Sequence, residues 1–155
     1  MLRITAEPVD SEVSRMLLSE YFDARAASFP SRTYTRSSPD AATFTAPAGV
    51  FVVAADEDHP VGCGGIRRLE ARGDAMRYEV KHLYLRPETR GRGWGRALMD
   101  DLERRARAFG ADELVLDTHH TLDAAAGLYA ATGFSAIPAY NDNPNATRWY
   151  GKALS

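Results

Sequence analysis

The segment from Met76 to Asp117 does most to limit what this chain can fold into. Met76 to Leu85 is an extended-type run rich in Tyr, Val and Leu. Leu98, Leu102, Ala106 and Phe109 then recur at steps of four, four and three, which places them on one helical face. Gly110 stops that helix, and Glu113 to Asp117 (ELVLD) is a buried-type strand. Strand, helix, strand in this order is a parallel crossover unit. Upstream the pattern differs. Val50–Ala54, Val61–Leu69 and Met76–Leu85 are separated only by the turns DEDHP (Asp56 to Pro60) and ARGD (Ala71 to Asp74). Turns that short imply an antiparallel meander. One sheet must therefore combine an antiparallel meander with a parallel pair, which makes this an α+β chain with a mixed sheet.

The flanking segments fit around that unit. Leu2 to Ala6 reads as a first strand. Asp10 or Ser11 caps a helix whose buried stripe is Val13, Met16, Leu17 and Tyr21. Ser31 to Gly49 is polar and aperiodic, a loop with a short helix near Pro39 to Phe44. Thr121 caps a helix through Ala131 that carries Leu122, Ala125, Leu128 and Tyr129. Gly133 ends it, Phe134 opens another strand, NDNPN (Asn141 to Asn145) is turn chemistry, and Thr147 to Leu154 is a last strand. The length of 155 residues and the 45% hydrophobic content suit one domain over residues 1–155 with a real core.

Composition removes several function classes. The net charge of −2 argues against general nucleic-acid binding, so positive charge matters only where it is local. Cys63 is the single cysteine, so no disulfide framework forms and a cytoplasmic setting is expected. MLRITAEPVD has no signal-peptide-like apolar run, and no stretch is long enough to span a membrane.

The local charge is at the crossover. RPETRGRGWGRAL (Arg86 to Leu98) sets Arg86, Arg90, Arg92 and Arg96 among Gly91, Gly93 and Gly95, where the first strand hands over to its helix. Such a junction aims free backbone N–H groups at one point, and the helix dipole adds positive potential. Glycines permit sharp turns and close approach, and arginines add charge-assisted hydrogen bonds. The combination is an anion site, most naturally for phosphate; the alternative is a glycine-rich turn with solvated arginines. No G-x-x-x-x-G-K-[ST] is present, and G-x-G-x-x-G fails because Arg96 or Leu98 occupies its third glycine position.

The spacing that fits is R-x-x-G-x-G: Arg90, Gly93 and Gly95. With it, YEVKHLYLRPETRGRGWGRALMDDLERRARAFGADELVLDT resembles the acetyl-CoA-binding core of the GCN5-related N-acetyltransferases (GNAT). LYAATGF (Leu128 to Phe134) resembles the family's next block, and AYNDNPNATRWYGKAL resembles the ending of a small bacterial branch. The likeness runs from about Val50 to the C-terminus. It implies a mostly antiparallel twisted sheet with helices on both faces, its fourth and fifth strands (Met76–Leu85 and Glu113–Asp117) splayed around CoA. It implies that backbone amides from Arg90 through Arg96, with Gly91, Arg92, Gly93, Trp94 and Gly95 between them, hold the pyrophosphate. The edge of Leu83, Tyr84 and Leu85 would pair with the pantetheine amides, and the Leu83 N–H would polarise the thioester carbonyl. Trp94 stands where the family usually has an aliphatic residue. A homodimer is expected from the resemblance alone.

Transfer to an amine needs a proton removed, and an alkylamine of pKa near 10 is only about one part in a thousand neutral at pH 7, a handicap of roughly 4 kcal/mol. Glu79 matches the family's strand-four glutamate and is the expected base, acting from a buried position, through water, or both. Its structural alternative is an ion pair with Lys81 or Arg77. Tyr129 matches the tyrosine near the CoA sulfur and is the expected acid, the alternative being a core aromatic. His119 and His120 are adjacent and suggest metal, but neighbours on an extended chain point apart and nothing completes a tetrahedron, so no metal is expected. His82 reads as a satisfied strand residue more than a cleft residue, and Cys63 as a small buried residue more than a nucleophile. The expected acceptor is a primary amine on a small molecule rather than a protein N-terminus or lysine. The competing class is an acyl-CoA-binding sensor without turnover, which would need neither Glu79 nor Tyr129.

Overall fold

A computed structural model describes residues 1–28, 38–119 and 123–154. The elements are β1 (Leu2–Ala6), α1 (Glu12–Ser28), β2 (Gly49–Asp56), β3 (His59–Arg68), β4 (Arg77–Leu85), α2 (Trp94–Ala108), β5 (Glu113–Thr118), α3 (Asp123–Ala131), β6 (Ser135–Ala136) and β7 (Arg148–Ala153), with a 3₁₀ turn at Pro87–Thr89. The strands form one sheet in the order β1-β2-β3-β4-β5-β7-β6. Every pairing is antiparallel except β4 with β5, so the sheet is mixed in the way the turn lengths predict.

The sheet carries a core on each face. On one, α2 and α3 bury Leu98, Met99, Leu102, Ala106 and Tyr129 against Val52, Ile66, Tyr78, Val80, Leu114 and Leu116. On the other, Leu17, Leu18 and Phe22 of α1 pack on Phe51, Val53, Cys63 and Tyr84, joined by Phe44. Central strands therefore contribute apolar residues to both sides, which explains their near-continuous hydrophobic runs.

Several boundaries moved. Ser11 is the cap of α1: its Oγ accepts the Ser14 N–H at 3.2 Å. The buried stripe is Ser14, Leu17, Leu18 and Phe22 rather than Val13, Met16, Leu17 and Tyr21, and Met16 is exposed. The face is rotated because Phe22 outcompetes Met16 for the sheet. Residues 40–48 form turns and not a short helix, yet Phe44 is buried against Phe51. The strand expected from Phe134 shrinks to two residues. Thr121, Leu122, His120 and the Ser31 side of the long loop lie outside the described residues.

The β3–β4 ladder slips between Cys63 and Gly65, where His82 of β4 adopts φ 58. His82 is an extra residue in β4, a bulge that turns the strand. Gly62 lets the strands meet there, since a Cβ at that position would lie 2.4 Å from the Tyr84 carbonyl oxygen.

Candidate active site

The parallel ladder ends early. Arg77, Tyr78 and Glu79 of β4 pair with Glu113, Leu114 and Val115 of β5, and no pair follows, although β4 continues to Leu85 and β5 to Thr118. Beyond Glu79 the two strands diverge. The gap opens into a cleft of ≈ 1180 Å³ lined by Leu83, Tyr84 and Leu85 of β4 and by Leu116, Asp117 and Thr118 of β5. The β4 edge that faces the gap has lost its partner, so its peptide groups are offered to whatever enters.

The glycine-arginine loop closes one end. Gly91 has φ 84 and Gly93 φ 79, and a Cβ built on either would meet nothing within 4 Å. Both positions demand a left-handed backbone beside open space, which is the purpose glycine serves here. Gly93 caps α2, and the first helical bond is Ala97 N–H to the Gly93 carbonyl at 3.1 Å. The Arg90 N–H is already given to the Pro87 carbonyl at 3.3 Å. The set of uncommitted amides therefore starts at Gly91 and not at Arg90, and it runs to Arg96, with no acceptor for any of them among the described residues.

The arginines separate into two groups. Arg86 is structural: it donates to both oxygens of Glu20, at 2.9 and 2.8 Å, and to the Pro60 carbonyl at 2.8 Å. Arg90, Arg92 and Arg96 are exposed, and none forms an ion pair among the described residues. The Arg92 guanidinium lies 5.1 Å from the Trp94 ring centroid, so the residue where an aliphatic one was expected supports an arginine.

Tyr129 of α3 reaches the cleft wall against Tyr150 and Phe134. Burial, the largest cause, pushes its hydroxyl up to about 12, so it holds its proton at neutral pH. That hydroxyl has no hydrogen-bond partner among the described residues.

Glu79 is fully buried at the apex of the gap. Arg67 of β3, its cross-strand partner, donates Nε to Oε1 at 2.8 Å, and Tyr140 donates its hydroxyl to Oε2 at 2.6 Å. The expected ionic partners were Lys81 or Arg77, and neither is used. Lys81 crosses the gap to Asp117 at 3.2 Å, while Arg77 donates to the Glu70 carbonyl. Burial and the Glu79 charge hold the Tyr140 phenol well above its ordinary value.

Asp117 collects three donors, Lys81 Nζ, Asn141 Nδ2 at 2.7 Å and Asn143 Nδ2 at 3.1 Å. Burial alone would raise its pKa, but the Lys81 charge and the two amides outweigh it and leave the carboxyl below its ordinary 3.8. The linked stability is present above that value and is lost as pH falls through the lower folded one. Unfolding free energy measured by urea between pH 7 and pH 2 should therefore hold its Asp117 contribution to about pH 4 and then fall, and Asp117→Asn should flatten part of that fall.

His82 lines the cleft rather than sitting satisfied in the strand. Its ring meets Tyr21, Phe22 and Phe44 at 5.5, 5.5 and 5.8 Å, and Nδ1 is buried without a partner. Burial first, then the charges of Lys81 and Arg67, lower its pKa to about 3, so the imidazole is neutral. Cys63 is buried, its Sγ 3.5 Å from the His82 carbonyl, and burial pushes the thiol far up. That environment opposes a thiolate nucleophile. His119 is buried. Among the described residues no group of three His, Cys, Asp or Glu could hold a metal, and no helix is long and apolar enough to cross a membrane.

Reading the sequence missed Arg67, Tyr140 and the Asp117 cluster. One signal was available: folding the hairpin about ARGD brings Arg67 to within one place of Glu79. NDNPN signals a turn, and nothing local shows that its asparagines bind a cleft carboxylate.

Comparison with known proteins agrees with this geometry. A fission-yeast protein (Schizosaccharomyces pombe) described as an uncharacterized N-acetyltransferase is 35% identical over 99 residues, 63% of this chain and 59% of that protein. An IAA acetyltransferase of Azospirillum brasilense is 34% identical over 96 residues, 62% of this chain and 61% of its own length. The match thus spans about three fifths of these relatives. Among solved structures, a GNAT acetyltransferase from Staphylococcus aureus superposes with a TM-score of 0.82 at 18% identity, covering 100% of both chains. A PaiA N-acetyltransferase of Thermoplasma acidophilum, solved with coenzyme A, gives a TM-score of 0.75 at 16% identity, covering 99% of each chain. The acetyltransferase (GNAT) family model matches residues 13–134, and with the splayed β4–β5 pair and the amide-lined loop before α2 in place, this chain belongs to the GNAT family.

Proposed function

We propose that this protein is an N-acetyltransferase that moves the acetyl group of acetyl-CoA to a primary amine of a small molecule, by direct attack in a ternary complex. The observation that carries the reading is a gap between parallel strands that opens onto six uncommitted amides at a helix N-terminus. Acetyl-CoA supplies an acyl group already activated as a thioester. The amides of Gly91 through Arg96, with the guanidinia of Arg90, Arg92 and Arg96, hold the pyrophosphate. The edge of Leu83, Tyr84 and Leu85 binds the pantetheine amides as an added strand. The Leu83 N–H, re-aimed by the bulge at His82, serves the thioester carbonyl. The lone buried thiol, Cys63, suits a reducing cytoplasm.

Tyr129 gives its hydroxyl proton to the departing sulfur, a role supported by its protonated state and its unpartnered hydroxyl. A thiolate near pKa 8.5 already leaves tolerably well, so Tyr129→Phe should lower kcat only about tenfold and leave CoA affinity unchanged. Glu79 works from behind the cleft wall, and the amine proton reaches it through water. The test is acetyl-dependent thiol release across a panel of amines, with CoA binding followed separately. CoA binding without thiol release from any amine would leave a sensor in place of an enzyme.

A further inference from the structure

We propose that Arg67 is the anchor for a carboxylate carried by the acceptor, so that the acceptor is an amino acid or a similar small amine bearing a carboxylate. The inference deepens the acetyltransferase reading and rests on it for the amine. Arg67 stands on β3 opposite Glu79 and lines the cleft, with its side chain 37% exposed. Glu79 grips one edge of the guanidinium: Nε and Nη2 both lie 2.8 Å from Oε1. Glu79 is itself locked, with no exposure and its other oxygen bound by Tyr140 at 2.6 Å. Neither Nη1 nor the second Nη2 hydrogen has a partner among the described residues. The free edge is therefore the end-on fork, two parallel N–H groups held in orientation by a buried anion. That is the geometry that matches a carboxylate bidentately.

The surroundings favour an anion over a polycation. The cleft carboxylate Asp117 is already taken by Lys81, Asn141 and Asn143. Asp40 is exposed at the rim, with Oδ1 taken by the Ala42 N–H. A polyamine would meet Arg67 and Lys81 with no uncommitted carboxylate on the inner wall among the described residues. Next to Arg67 the wall is apolar: Tyr21, Phe22, Phe44 and the neutral ring of His82 offer room for a hydrocarbon or aromatic side chain. An acceptor with a carboxylate at one end, an amine near the gap and an apolar side chain satisfies all three features.

The experiment compares matched pairs on the full chain: the common L-amino acids against their decarboxylated amines, with putrescine added. Binding in the presence of CoA is read by thermal shift, and turnover by thiol release with acetyl-CoA. At least one amino acid should bind and turn over with roughly 10- to 100-fold advantage over its decarboxylated partner. Arg67→Lys keeps a cation beside Glu79 but loses the fork. It should raise that amino acid's KM by the same factor, with kcat and CoA binding little changed. Equal use of both members of every pair, binding of no amino acid, or an Arg67→Lys penalty equal for both members would each overturn the proposal. The wild-type comparison stands even where the variant folds poorly. Amines that turn over without regard to a carboxylate would sink this inference and keep the acetyltransferase. Amino acids that bind through Arg67 without thiol release would do the reverse.

Discussion

Gly93→Val is expected to abolish binding of acetyl-CoA while leaving a folded protein. At 100 times its Kd, acetyl-CoA should add about 2.7 kcal/mol to the wild type, a rise of roughly 5–10 °C in Tm for a domain of this size. The variant should show no rise. Two effects act at this position. A β-branched residue at φ 79 is strained whatever the space around it. Its side chain would also fill the open side of the loop, beside the uncommitted amides of Gly91 through Arg96. Gly73→Val separates the two. Gly73 has φ 62 and equally open surroundings, but it lies in the β3–β4 turn away from the cleft. Both variants should lose intrinsic stability by similar amounts, and only Gly93→Val should lose the ligand response. A normal acetyl-CoA shift in Gly93→Val would mean that the loop is not the phosphate site.

Glu79→Gln is expected to lower kcat by about 10²-fold with CoA affinity nearly intact. The amide keeps the shape but has one acceptor oxygen where the carboxylate uses two, one for Arg67 and one for Tyr140. One of these donors then faces an N–H, which costs about 1.5–3 kcal/mol of stability. A proton-accepting role shows itself in the pH profile: the variant's kcat should stay low until the amine itself deprotonates, whereas the wild type rises earlier. Loss of orientation at Arg67 would add an increase in acceptor KM. Full activity across the pH range in Glu79→Gln would transfer the proton to another group or to solvent. Arg67→Lys, which leaves the carboxylate in place, should act on KM far more than on kcat, so the pair of variants distinguishes proton transfer from acceptor binding.

The order of elements was legible because its signals are local. The short turns DEDHP and ARGD force antiparallel neighbours, and a helix between Leu85 and Glu113 forces a parallel pair. The glycine loop before α2 was legible for the same reason, since positive φ at Gly91 and Gly93 and free amides at a helix start are properties of a few consecutive residues. Even there two details depend on the fold: the Pro87–Thr89 turn consumes the Arg90 amide, and Glu20, some 66 residues away, pairs with Arg86.

Long-range matters were decided by packing. The rotation of α1 depends on which residues the sheet receives, and Leu18 and Phe22 fill the α1 face where Met16 does not. The surroundings of Glu79 depend on the β3–β4 register, which sets Arg67 across from it, and on a C-terminal loop that brings Tyr140 from 61 residues away. Asp117 drew no notice as the last residue of ELVLD, because the Lys81 and asparagine contacts that hold it come from other elements. Neighbouring residues thus suffice for the mixed sheet, the crossover and a helix-start loop of uncommitted amides, since hydrogen-bond geometry and backbone conformation are local properties. Which charges are consumed in pairs, and which edge of Arg67 stays open to the cleft, follow from the packing of distant segments, since a side chain's partners are chosen by distance in space.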